Sequence, residues 1–337
     1  MQPCPVRCSS SSCKCIGIFR SLLIDRYVNS DRSRTKKIIS HAKDRGVKAL
    51  FITVDAPQLG RREKDMRTKF EGTASSQQDT GKDKFRRDQG AARAISSFID
   101  PSLNWADLAD LISAADGMKV VLKGVQCWED AVMAAEYGCD GIVLSNHGGR
   151  QLDGAPSPIS MLPSVVQALT RHGHLGPRAD GTKFEIMVDG GVRRATDVLK
   201  AVAMGATAVG IGRPMIYAMS TYGQEGVEKL FEILKVGVSC GCKEKKDADS
   251  QDEFEMNMRL IGAPTLKDVV PGMVDTSALN PGQAPDTQFD ANCMSTLSSS
   301  RFKLMRQTKE WYPLASRPSC SHFNLVDLVC IVALSAI

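Results

Sequence analysis

From about residue 33 to residue 235 short apolar runs alternate with amphipathic stretches, and this alternation predicts βαβ units built on a parallel sheet. Five strands read clearly, at 49–54, 119–123, 141–145, 185–188 and 208–211, each β-branched and apolar and each closed by a polar or glycine-containing turn. Helical periodicity is expected over 34–44, 104–114, 128–137, 159–169, 196–204 and 226–235. Polar residues gather where the strands end. In a parallel barrel those C-terminal ends form the catalytic face, so Asp55, Lys123, Ser145, His147, Asp189 and Arg213 are expected to converge there. An open doubly wound sheet is the architectural alternative.

Other segments do not follow the pattern. Residues 71–95 are rich in Gly, Ser, Gln and charge and read as a long mobile loop over the active face. Residues 1–26 are rich in Ser and Cys and read as an atypical, disordered N-terminus, with the barrel expected over 27–279. Residues 236–251 break a helical stretch with Gly, Cys and a charge run, and 280–337 form an unpatterned tail. Residues 323–337 are apolar but shorter than the ~20 residues a spanning helix needs, so no membrane span is expected. Arg7 is followed by no long apolar stretch, and no targeting segment is readable.

Composition narrows the function only a little. The 337 residues suffice for a substantial core. The net charge of +5 comes from 43 Lys and Arg interleaved with 38 Asp and Glu, which leaves no basic footprint for nucleic acid. Of the eleven cysteines only Cys127 and Cys139 sit among the strong motifs. The pairs Cys13, Cys15 and Cys240, Cys242 have one residue between partners, which is not the spacing of a structural zinc site, so no metal is expected.

The segment from Ser145 to Asp153, SNHGGRQLD, follows a buried strand and carries His147 and Arg150 around two glycines. An imidazole takes a proton near neutral pH, and a guanidinium fork matches a carboxylate. The pair therefore suits a small hydroxy acid anchored by its carboxylate; the plainer alternative is a loop tied together by hydrogen bonds. Asp55, in Thr53-Val54-Asp55-Ala56-Pro57, is placed to orient His147, or merely to form the turn. Arg62 offers a second cation, or an exposed charge. Lys123 ends its strand where an ammonium would stabilise a reduced cofactor, with a snorkelling lysine as the alternative. The turns VDGGVR (Asp189, Gly190, Gly191, Arg193) and GIGR (Gly212, Arg213) end successive strands, where barrels bind phosphate.

Together these residues resemble the FMN-dependent 2-hydroxy acid dehydrogenase and oxidase family, which includes glycolate oxidases and flavocytochrome-type L-lactate dehydrogenases. The resemblance runs from about residue 27 to 235 and resumes over 252–279, carried by TVDAPQLGRREKDMRTKF, SSFIDPSLNW, LKGVQ, SNHGGRQLD, VDGGVRRATDVLKA and GIGRP in that order. SSFIDPSLNW and NMRLIG look closer to the L-lactate branch.

The resemblance implies an incomplete (β/α)8 barrel, FMN as cofactor, a small L-2-hydroxy acid such as L-lactate as substrate, and oxygen or a cytochrome as electron acceptor. It implies that His147 is the base, Asp55 its partner, Arg150 the carboxylate anchor, and Arg62 and Tyr27 further substrate contacts. Thr53, Lys123 and Ser145 match flavin-ring contacts. Asp189 and Arg193 match ribityl and phosphate contacts, with Gly190, Gly191, Gly212 and Arg213 completing the phosphate site. A homo-oligomer and a mitochondrial, cytoplasmic or peroxisomal compartment also fit the family.

Three departures stand out. Asp25 occupies the position of a flavin-contacting Gln, bringing a carboxylate beside the ring, and Arg26 replaces an apolar strand residue. The family's first two strands have no counterpart in residues 1–24. Residues 236–251 interrupt what is one continuous helix in the family, as a retained intron would.

Overall fold

A computed structural model of the chain describes residues 23–60, 67, 99–178, 181–234, 253–276, 279 and 329–331. Seven strands form one parallel sheet: β1 (Leu23–Tyr27), β2 (Ala49–Thr53), β3 (Lys119–Val125), β4 (Gly141–Leu144), β5 (Glu185–Asp189), β6 (Ala208–Gly210) and β7 (Val329–Ile331). Between and after them come α1 (Arg32–Asp44), α2 (Trp105–Ala115), α3 (Trp128–Glu136), α4 (Pro158–Arg171), α5 (Ala195–Ala203), α6 (Arg213–Leu234) and α7 (Glu253–Leu260).

The strands lie side by side in the order they occur in the chain. A doubly wound sheet reverses its order at a switch point, whereas sequential parallel order with a helix over each step is the order of a barrel wall. The sequence alternatives are thereby separated in favour of an incomplete (β/α)8 barrel, and among the described residues β1 and β7 pair only with β2 and β6. β1 begins at Leu23, so the expected boundary at residues 26 and 27 falls inside a strand.

Local chemistry starts several of the helices. Asp31 caps α1 by accepting from the Ser33 N–H at 3.0 Å, and Asn104 and Asp107 form a reciprocal capping box at α2. Pro158 opens α4, where its missing N–H costs nothing. α6 is longer than the sequence pattern indicates, and Gly223 (φ +62°, ψ −144°) breaks it into two pieces. Its first piece carries exposed Tyr217, Met219 and Tyr222, which blur the amphipathic period that identifies a helix.

Period-two alternation divides the strand side chains between two cores. Leu50 and Ile52, Val120 and Leu122, Ile142 and Leu144, and Ile186 and Val188 face outward under Ile39, Leu111, Val132, Leu162, Val165 and Val198 of the helices. Ala49, Phe51, Val121 and Val143, with Met187 against them, form a smaller inner cluster. The register pairs Tyr27 with Thr53 and Thr53 with Lys123, so the inner rows continue upward into polar residues.

Residues 1–22, the expected loop at 71–95, the segment 236–251 and all of 280–337 except β7 lie outside the described residues. Arg62 lies outside them too. Flanking it, Gly60 donates to Gln151 Oε1 at 3.1 Å. On the far side of that segment Asp100 donates to the Val28 carbonyl at 2.9 Å and pairs with Arg32 at 2.7 Å.

Candidate active site

The strand ends bring together residues far apart in sequence. His147 Nδ1 lies 3.0 Å from Asp55 Oδ1, and the Tyr27 hydroxyl lies 3.1 Å from His147 Nε2. The Asp55 and His147 side chains are 1% and 4% exposed. An ionised carboxylate only accepts, so Asp55 fixes the proton on Nδ1 and leaves Nε2 with its lone pair, to which Tyr27 donates. One side of the imidazole is thus left as an acceptor, with a carboxylate oriented behind the other.

The turn after β4 holds His147 in place. His147 has φ +58° and is followed by Gly148 and Gly149, also at positive φ. Its N–H donates to Ser145 Oγ at 3.0 Å. Asn146 Oδ1 accepts from the Gly149 N–H at 3.1 Å, and Asn146 Nδ2 donates to the Pro156 carbonyl at 3.1 Å. Arg213 reaches across from the start of α6 to donate to the Gly148 carbonyl at 2.9 Å. Arg150, the expected carboxylate anchor, is half-buried at the end of this turn.

Beside the base stands a buried cation. Lys123 is 3% exposed, and its Nζ lies 3.7 Å from Asp25 Oδ2, while Asp25 Oδ1 accepts from Thr53 Oγ1 at 2.6 Å. Asp25 thus meets Lys123 and Thr53, two of the expected flavin-ring contacts. Asp189 closes the row at the end of β5. Burial raises its carboxyl above the ordinary Asp value of 3.8, offset in part by hydrogen bonding from Ser145 and by the charge of Lys123. Its Oδ1 is buried without a partner, as is Asp55 Oδ2.

Asp189 and Gly210 are register partners of β5 and β6, so the two turns that carry the expected phosphate residues leave adjacent strands. Gly190 and Gly191 follow with φ +89° and +83°, and Gly212 precedes the N-terminus of α6, whose dipole favours an anion. Arg193 and Arg213 are exposed at the rim. The Arg193 backbone N–H is committed to Asp197 Oδ2 at 3.0 Å, which leaves the glycine N–H groups and the guanidinium groups as the expected anion donors.

FMN can be tested against this donor set. Its ring demands a cation and hydroxyls, its ribityl chain donates hydroxyls, and its phosphate needs glycines and arginines. Lys123, Thr53 and Ser145 supply the first set. The orphaned Asp189 Oδ1 is an acceptor for a ribityl hydroxyl, and Gly190, Gly191, Gly212, Arg193 and Arg213 supply the last set. The residues fit.

Two residues that the sequence reading did not single out shape the site. Gly124 sits at the break in register between β3 and β4, with φ +109°, and a Cβ there would lie 2.5 Å from Asp55 Cβ. Glycine inside an apolar strand was the available signal. Gln151 donates from Nε2 to the carbonyls of Asp55 at 3.1 Å and Gln58 at 3.0 Å, while its Oε1 accepts from Gly60. It stitches the Asp55 loop to the His147 loop across more than 90 residues of sequence. Nothing local announces that role.

A barrel wall whose C-terminal face joins an imidazole–carboxylate pair, a buried lysine and glycine–arginine turns is an arrangement that suits a flavin-dependent barrel dehydrogenase. The family comparison agrees: residues 9–276 match the FMN-dependent dehydrogenase family, and the chain belongs to it. FMN is that family's cofactor.

The chain is 49% identical over 259 residues to the L-lactate dehydrogenase (cytochrome) of Wickerhamomyces anomalus, covering 77% of this chain and 41% of that protein. It is 38% identical over 284 residues to a peroxisomal (S)-2-hydroxyacid oxidase of Arabidopsis thaliana, covering 82% of this chain and 68% of the relative. Among solved structures, the recombinant flavin-binding domain of baker's yeast flavocytochrome b2 superposes with a TM-score of 0.60 at 38% identity, over 88% of this chain and 62% of that one. The chain therefore spans about two fifths of the length of the L-lactate dehydrogenases it matches.

Proposed function

We propose that the chain binds FMN and oxidises a small L-2-hydroxy acid, with L-lactate first, to the 2-oxo acid. The observation that carries the proposal is the hydrogen-bonded chain Asp55–His147–Tyr27, its carboxylate and imidazole buried, with an imidazole lone pair at the strand ends beside Lys123. The likeness to enzymes named L-lactate dehydrogenase (cytochrome) and (S)-2-hydroxyacid oxidase supports the substrate class.

Oxidation of the carbinol carbon removes two electrons and two protons; FMN, when bound, would accept the electron pair with one proton, and the other falls to the protein. His147 Nε2 takes a proton as the carbonyl forms, and Asp55 stabilises the resulting imidazolium by its Nδ1 contact. Tyr27 orients the substrate hydroxyl beside that nitrogen. Arg150, with Arg62, holds the substrate carboxylate by a charge-assisted fork. Lys123 would hold the flavin ring and supply positive charge beside it. Asp189 and the glycine–arginine turns hold the ribityl phosphate.

A second reading has its own observation. Asp25 lies 3.7 Å from Lys123 and opposes the build-up of negative charge there, which favours a chain that holds flavin without turning over. The visible spectrum of the purified chain with FMN, before and after anaerobic L-lactate and with glycolate in parallel, separates the readings. Bleaching by L-lactate is the expected result. Bound flavin that does not bleach replaces the proposal with the second reading, and failure to retain flavin removes both.

A further inference from the structure

At the opposite end of the barrel wall from His147, two helix ends bring three potential metal ligands together. Glu136 is the last residue of α3, and His172 and His174 flank Gly173 just past α4. Their ligand atoms all lie within 4.8 Å of one another, the one such group of three among the described residues.

The backbone under the two histidines is fixed. His172 N–H donates to the Ala168 carbonyl at 3.0 Å, Gly173 N–H to Thr170 at 3.0 Å, and His174 N–H to Leu169 at 2.9 Å. Gly173 takes φ +74°, the left-handed turn that ends a helix and projects the residues on either side together. The imidazole planes are 6° from parallel with centroids 6.3 Å apart. The nearby cation, Arg178, is engaged elsewhere: it donates to the Cys139 carbonyl at 2.7 Å, lies 3.6 Å from Asp140 and covers the Phe184 ring.

We propose that Glu136, His172 and His174 form a surface site for a divalent transition metal, zinc first, that clamps the C-terminal end of α3 to that of α4. Two imidazoles and a carboxylate are a donor set zinc accepts, with water in the fourth position. Ligand atoms around a tetrahedral zinc stand roughly 3.4 Å apart, so side-chain rotation alone closes the observed spacing while the helices stay in place. Glu136 and His172 are exposed and His174 is half-buried, so the ion has an open path and its removal disturbs no core. The site is independent of the flavin proposal.

The test uses the full chain after alkylation of its reactive thiols, because eleven cysteines would otherwise compete for zinc. Burial raises the thiols of Cys127 and Cys139 and keeps them protonated, so alkylation spares them. Isothermal titration with Zn2+ should give one equivalent bound, with affinity at least about tenfold weaker in Glu136→Gln and no binding in the His172→Ala, His174→Ala double variant. Zn2+ should raise the melting temperature of the wild type and leave that of the double variant unchanged. With Co2+ the wild type should develop the visible bands of a tetrahedral nitrogen and oxygen site. No binding by the wild type, or equal binding by the double variant with an unchanged circular dichroism spectrum, overturns the proposal.

Discussion

The two ends of the same strands treat a buried aspartate in opposite ways. At the N-terminal end, Asp140 accepts from Lys119 Nζ at 3.0 Å and from the Val120 N–H at 2.8 Å, and Arg178 approaches its Oδ1 at 3.6 Å. Both of its oxygens are served by the protein itself. At the C-terminal end, Asp55 and Asp189 each keep one buried oxygen without a partner, and the histidine between them sits at positive φ. A buried acceptor left unmatched costs roughly 1–3 kcal/mol. The N-terminal end is therefore organised for stability and the C-terminal end for chemistry, at some cost to stability, as expected of a barrel wall.

The sharpest way to break this contrast is to exchange what each end is for. His147→Gln should lower L-lactate turnover about 10⁴-fold, the upper range for losing a general base, while bound flavin and the urea midpoint stay where they were. Turnover within tenfold of wild type would sink the assigned base. Asp140→Ala should do the reverse. It leaves the Val120 N–H unpaired, strips Lys119 of its acceptor and removes the carboxylate that Arg178 approaches, so stability should fall by about 3 kcal/mol in urea denaturation while the flavin spectrum of the folded fraction is unchanged. A loss of flavin affinity at constant stability would mean that the two ends are not separable.

Gly124→Ala tests the seam between them. The added methyl would lie 2.5 Å from Asp55 Cβ in a backbone at φ +109°, so Asp55, the strand break or both must shift. Stability should drop by about 2 kcal/mol and turnover by about 10²-fold, because a displacement on the order of 1 Å at the base is enough. Unchanged kinetics would show that Asp55 tolerates displacement and that its orienting role is dispensable.

How much of this was legible depended on distance along the chain. The strand pattern is local, since short Val, Ile and Leu runs closed by polar or glycine-containing turns announce β2 to β6 to within two residues. β1 was obscured by Asp25 and Arg26, whose charges break the apolar run, and the first piece of α6 by its exposed aromatics. Convergence of Asp55 with His147 follows from placing polar residues at strand ends. The contact of Tyr27 with His147 spans 120 residues and came only through resemblance. Gln151 acts on the backbone of a distant segment, for which sequence pattern carries no signal, whereas Gly124 shows only as a glycine inside an apolar strand. Arg62 was legible as a cation but lies outside the described residues.

The smallest effect concerns the pH dependence of the C-terminal end. Burial raises the Asp189 carboxyl in the folded protein above its ordinary value of 3.8, although Ser145, Lys123 and His147 offset part of the shift. Between the unfolded value and the raised folded one, the native state binds more protons than the unfolded state, so this group's contribution to stability falls as pH rises through that window. That slope is opposite to the one given by a carboxylate held ionised in an ion pair. Asp189→Asn removes the titration. The difference in unfolding free energy between variant and wild type should therefore shift in the variant's favour as pH rises from 3.8 through the folded value, and be constant above it. Parallel urea titrations across that range measure the difference without interference from other carboxylates, which cancel. A difference that moves the other way would mean that Asp189 is stabilised as an anion in the fold, and the C-terminal end would then resemble the Asp140 end more than its geometry indicates.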